Sequence, residues 1–190
     1  MKVFFSILFA TFVAIFNFFT TDGAFCQLVN KGDITGYAET VNAEKKLPIL
    51  STDENGDFTV LQFSDTHFTT GLSYSDISVL TTMENQVREY NPDLVVVLGD
   101  MLDDGEAGAF NKEYVLETVG TMFDSLEQYW AYIPGNNDGM AHGTSADVTA
   151  YLSQFEYCLC ADIKDVSGGA QYSIDIENNG TVVHSLIFLD

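Results

Sequence analysis

Basic residues are scarce in this chain. Seven lysines and arginines stand against 28 aspartates and glutamates in 190 residues, a formal net charge of −21. Such a surface repels phosphate backbones and anionic bilayers, which excludes nucleic acid as a partner. The acids are spread along the chain, so they read as a solvated surface and not as a disordered tail. Cysteine is scarce too. Cys26, Cys158 and Cys160 cannot all pair within the chain. Cys158 and Cys160 are two residues apart and poorly placed to bridge each other. One of them can pair with Cys26, leaving the third for an intermolecular bond. Cys-Leu-Cys with no nearby histidine does not make a thiolate zinc site. No internal repeat or low-complexity tract is present, and beyond the N-terminus no apolar run approaches membrane-spanning length. What remains is ordinary globular composition: 46% hydrophobic and 13% aromatic residues, which excludes intrinsic disorder.

The N-terminus has the form of an export signal. Met1-Lys2 supplies a positive start, Val3 to Phe19 is uncharged and mostly apolar, and small residues at Thr21 and Gly23 suit cleavage before Ala24. Residues 1–23 are therefore expected to be a signal peptide. The alternative is a retained membrane anchor, because the run borders on spanning length. Cleavage would send the protein out of the cell or to a vacuole or lysosome, with no membrane attachment and an unchanged charge, since Lys2 and Asp22 leave together. Asn179-Gly180-Thr181 is an N-glycosylation sequon in keeping with that route.

Residues 24–46 show no periodicity and read as a lead-in segment. The domain is expected over 47–190. Asp53-Glu54-Asn55-Gly56-Asp57 predicts a tight hairpin turn, followed by a strand over 58–64 that stops at Asp65-Thr66-His67. Ile77, Leu80, Met83, Val87 and Tyr90 predict one apolar helix face, ended by Pro92. Leu94-Val95-Val96-Val97-Leu98 is the signature of a strand buried on both faces, and it stops at Gly99-Asp100. Phe110, Val115, Val119, Met122, Leu126 and Tyr129 mark a second helix. Trp130 to Ile133 is a short third strand that stops at Pro134-Gly135-Asn136-Asn137-Asp138. A third helix is expected from Ser145 to Tyr157. Gln171 to Glu177 and Thr181 to Leu189 predict an antiparallel hairpin about Asn178-Asn179-Gly180.

Three strands thus end in polar residues: Asp65 and His67, then Asp100, then Asn136 with Asp138. In strand–helix–strand units the carboxyl ends of parallel strands meet at one sheet edge, where ligands bind. Each cluster alone reads as a turn or a cap. Their shared topological position is the informative feature. Two carboxylates, an imidazole and an amide carbonyl form an oxygen/nitrogen donor set suited to Mn, Zn or Fe. Asp100, on the central strand, has two oxygens with which to bridge a pair of cations, and such pairs activate water and clamp phosphoryl groups.

These motifs resemble the calcineurin-like metallophosphoesterase superfamily. Its pattern runs Asp-x-His, Gly-Asp and Gly-Asn-His-Asp/Glu, matched by Asp65-Thr66-His67, Gly99-Asp100 and Gly135-Asn136-Asn137-Asp138. The resemblance covers about residues 47–190 and is nearest to exported or vacuolar phosphatases related to purple acid phosphatases. It implies an α/β fold, a sandwich of mixed β-sheets flanked by helices. It implies two divalent cations, with Asp65 and His67 on the first, Asp100 bridging and Asn136 on the second. It also implies a phosphatase acting on a small phosphorylated substrate by in-line attack of a metal-bound hydroxide.

Two departures accompany the resemblance. The later family motifs, a His and then Gly-His-x-His, are absent, so the chain is expected to be the N-terminal half of a longer domain. Asn137 also stands where the family has the histidine that protonates the leaving group, with Asp138 in the orienting position. An amide can donate a hydrogen bond but cannot deliver a proton, and losing a general acid costs roughly 10²–10⁴-fold. His142 is the nearest substitute. Asp103 replaces the tyrosine that ligates ferric iron in purple acid phosphatases, and His67 is a further difference, so a purple iron centre is not expected. The competing reading is a degenerate, non-catalytic exported member that serves as a binding or surface protein.

Overall fold

The valine run of β3 (Leu94–Leu98) sets the architecture. Leu94, Val95 and Val97 are completely buried, with side chains covered on both faces. Each contributes about 1.5–3 kcal/mol of apolar burial. β3 is the centre of a wholly parallel sheet, flanked by β2 (Val60–Phe63) and β4 (Trp130–Ile133). The register pairs Val60 with Leu94 on one side and Val95 with Trp130 on the other. All three strands therefore run the same way and end at one edge, as the sequence predicts. The computed structural model describes residues 34–40, 47–69, 73–103, 112–139, 143–161 and 167–190. The expected signal peptide, Cys26, Phe110 and His142 lie outside these residues, as does most of the lead-in.

A second, mixed sheet has the order β1-β5-β6. β5 (Tyr172–Asn178) and β6 (Thr181–Phe188) form the expected hairpin. Asn179 and Gly180, both at positive φ, make its two-residue turn. β1 (Leu50–Ser51) pairs in parallel with β5. The turn at residues 53–57 does form, closed by Asp53 N–H to Asp57 O. It is not a hairpin, because the strands on either side belong to different sheets. The Asp53 carboxylate accepts from the N–H groups of Asn55 and Asp57, so a side chain replaces the ladder that a hairpin would have supplied.

Among the described residues four helices accompany the sheets: the single turn α1 (Tyr37–Thr40), α2 (Tyr74–Tyr90), α3 (Lys112–Ser125) and α4 (Ser145–Leu152). α2 and α4 begin with capping boxes, Ser73 with Asp76 and Thr144 with Asp147. α2 ends at Asn91 in the left-handed conformation, just before Pro92. Met83 and Val87 are buried as expected, but Ile77 and Tyr90, assigned to the same apolar face, are exposed. α4 stops at Leu152, five residues short of the predicted end, and Phe155 is buried from the turn that follows.

The outer edge of β4 is covered rather than open. Trp130 N–H donates to Tyr157 O and Leu159 N–H donates to Trp130 O. The Tyr172 hydroxyl reaches across from the other sheet, accepting from Tyr132 N–H at 3.0 Å and donating to Tyr132 O at 2.5 Å. Tyr172 itself is stacked on Phe188 at 4.5 Å. Both sheets contribute to one apolar core that also takes in Cys158 and Cys160, whose sulfur atoms lie 3.1 Å apart. Among the described residues no helix is long and apolar enough to cross a membrane.

Candidate metal centre

The loops after β2 and β3 continue to pair beyond the strands. Asp65 N–H donates to Gly99 O, His67 N–H to Asp100 O and Phe68 N–H to Met101 O, at 3.2, 3.0 and 2.9 Å. This zipper fixes the first two motifs against each other. Within it Asp65, His67 and Asp100 all adopt the left-handed conformation, with φ of 55°, 45° and 48°. Backbone in this region is sparse for residues other than glycine, and such outliers gather at functional sites.

The third loop, 134–139, is laid on the second. Asn137 N–H donates to Asp100 Oδ1 at 3.0 Å. Gly135 packs so closely that a Cβ there would lie 2.2 Å from Asp100 Oδ1 and 2.3 Å from Asp100 N. Gly99 faces it, and a Cβ on Gly99 would lie 2.7 Å from Gly135 Cα. Only a glycine pair lets these loops approach so near.

Donor atoms of Asp65, His67 and Asp100 come together within 4.8 Å of one another. His67 Nε2 is 3.9 Å from Asp65 Oδ1 and 4.0 Å from Asp100 Oδ2. The Asp65 and His67 side chains are 67% and 42% exposed, whereas Asp100 is 16% exposed, so the cluster opens outward above a buried floor. Ser64 Oγ bonds the Asp65 carboxylate through Oδ2, an interaction absent from the sequence reading. Two carboxylates and an imidazole converging at one point fit a divalent cation. Asn136 is exposed on the third loop. Its Nδ2 donates to Asn137 Oδ1 at 2.9 Å.

Asp138 points inward and is fully buried. Its two oxygens accept from Leu102 N–H and Gly135 N–H, both at 2.8 Å. It ties the third loop to the second motif. Burial raises its pKa, against the pull of those two hydrogen bonds. Tyr132 lies beneath it and is kept a neutral phenol, by burial first and by the Asp138 charge second. Lys112, at the start of α3, was also missed in the sequence. Its signal was there: Lys112, Val115 and Val119 share the helical spacing of the inward face.

No curated protein matches the chain. The family model for calcineurin-like phosphoesterases matches residues 58–186, a span that runs from just before β2 into β6 and takes in all three loops. Three motif loops on consecutive parallel strands, with a match over more than half its length, establish that this chain belongs to the calcineurin-like phosphoesterase family.

Proposed function

We propose that the protein is a metal-dependent phosphatase for small phosphate esters, with Asp65, His67, Asp100 and Asn136 as its cation ligands. The observation that carries this reading is the convergence of Asp65, His67 and Asp100 within 4.8 Å at the carboxyl edge of a parallel sheet. Divalent cations, when bound there, supply positive charge to phosphoryl oxygens and lower the pKa of water. The chain's own residues set the geometry. Asp100 presents one oxygen toward His67 while the other accepts from Asn137 N–H, which orients the carboxylate. The exposed rim of Asp65 and His67 admits a small ester, and a net charge of −21 disfavours a long polyanion. The N-terminal apolar run supports export by way of a cleaved signal, with Asn179 an exposed acceptor for a glycan.

Asn137 favours a second reading, in which the site binds phosphate without efficient turnover, because the amide cannot protonate a leaving group. One experiment separates the two. The purified protein is stripped with chelator and reloaded with Mn, Zn or Fe. Hydrolysis of an aryl phosphate and binding of inorganic phosphate are then measured together. Metal-restored turnover that disappears in Asp100→Ala supports the phosphatase. Metal-dependent phosphate binding without turnover selects the binding protein, and failure to bind metal refutes both.

A further inference from the structure

Lys112 is an unusual residue for this chain. It is one of only seven basic side chains, yet it is 3% exposed. Lysine is almost never so buried unless its charge is compensated. Its Nζ donates to the Asp138 main-chain carbonyl at 2.5 Å and reaches the Gly143 carbonyl at 3.4 Å. The charges of Asp138, on the loop after β4, and Asp147, on α4, favour its protonated form. Burial pulls the amine down to about 8 against the opposing pull of these two acids, so it remains mainly charged at neutral pH.

The position of Asp138 gives this charge a task. Asp138 is as deeply buried as Lys112, and its carboxylate holds the N–H groups of Leu102 and Gly135. Leu102 lies two residues after Asp100, and Gly135 immediately precedes Asn136. One buried carboxylate therefore grips both loops that carry predicted cation ligands, and one buried ammonium donates to the main-chain carbonyl of the same residue. Removing the ammonium would leave a buried anion uncompensated, and such charges are strongly unfavourable until water reaches them. The third loop would have to open to admit that water, carrying Asn136 and the Asn137 N–H away from Asp100.

We propose that Lys112 is a positioning residue for the metal centre, acting through Asp138 to hold the third loop against Asp100. This inference rests on the metal-site reading given above. It differs from a lysine that merely fills space, because its effect must pass through Asp138 and must appear in metal affinity.

A double-mutant cycle tests it. Lys112→Met, Asp138→Asn and the double variant are prepared in the whole chain, and Mn(II) affinity is measured by calorimetry alongside the thermal midpoint. Each single change is expected to weaken Mn(II) binding 10–100-fold, the range for partners that support metal ligands. The double variant is expected to match Asp138→Asn within about threefold, since the charge that Lys112 balances has already gone. Lys112→Arg, which keeps the charge, should recover part of the affinity. Should Met at position 112 prevent folding, Lys112→Gln enters the same cycle, keeping a donor for the Asp138 carbonyl without the charge. Losses that multiply in the double variant overturn the proposal, as does wild-type affinity in Lys112→Met. Absence of Mn(II) binding by the unaltered protein would instead bring down the metal-site reading itself.

Discussion

Gly135→Ala isolates the contact that joins the third loop to the second. Gly135 lies outside the positive-φ region, so alanine can adopt its backbone and only the added methyl group matters. That methyl would lie 2.2 Å from Asp100 Oδ1, 2.3 Å from Asp100 N and 2.9 Å from Asp100 Cγ. Ordinary contact distance is about 3.5 Å, so the loops must part by roughly 1 Å. Two of the three atoms belong to the proposed bridging ligand's own side chain and the third to its main chain, so no flexible neighbour can yield instead. Overpacking of this kind costs about 1–3 kcal/mol of stability. A displacement of about 1 Å at a reacting centre can cost about 10²-fold in rate. The expected result is a folded protein whose aryl phosphatase activity, assayed with saturating Mn(II), falls about a hundredfold. Gly180→Ala is the control. Its methyl meets nothing within 4 Å, although φ is +77°, so stability should fall while activity per folded molecule holds. If Gly135→Ala kept activity within threefold of wild type, the close approach of the two loops would be irrelevant to the chemistry and the argument would fail.

Further predictions concern the supports of this site. Tyr172→Phe removes the hydroxyl that serves both main-chain groups of Tyr132, and leaving buried partners unmade should cost about 1–3 kcal/mol in urea denaturation. Asp147→Ala removes the capping box of α4 and the acceptor for Ala38 N–H, with an expected loss of about 0.5–2 kcal/mol. Burial raises the Asp147 pKa, but bonds from Ala38 and Thr144 outweigh it and the net shift is downward. Its stabilisation is therefore complete above the unfolded carboxylate range and fades as pH falls through the lower folded value. The gap in thermal midpoint between wild type and Asp147→Ala should close in acid, and a gap that widens there would contradict the assignment. Asn137→His should raise the ratio of alkyl to aryl phosphate turnover, since poor leaving groups depend most on protonation. An unchanged ratio would show that position 137 does not limit the reaction.

Much of this layout is readable from local pattern. The strand over Leu94–Leu98 announces itself because a doubly covered strand has no polar face to interrupt it. Its neighbours follow from the stop signals after Phe63 and Ile133. The partner of β1 is a different matter. Leu50 pairs with Ile176, more than a hundred residues away, and nothing in a two-residue strand specifies so distant a register. The local Asn-Gly turn suggested a nearer partner and misled. Ile77 and Tyr90 keep helical spacing with Met83 and Val87 but sit in the first and last turns of α2 and are exposed. At the site, the Asp65–His67–Asp100 constellation was legible because ligand identity is a property of residue type and strand order. The inward turn of Asp138 and the partners of Lys112 were not, because each depends on contacts between segments far apart in sequence.

The left-handed backbone at Asp65, His67 and Asp100 also bears on how such a site can decay. A position locked at φ near +50° admits glycine, asparagine, aspartate and histidine far more readily than any β-branched residue. The backbone therefore filters the substitutions that drift can offer, whether or not a cation is ever bound. A descendant released from selection for catalysis would exchange these residues among that short set long before it acquired valine or isoleucine there. Its sequence would go on looking like a metal centre after the chemistry had gone. Residue type at the three positions is thus a record of loop geometry first, and only the direct measurement of bound metal distinguishes a working descendant from a silent one.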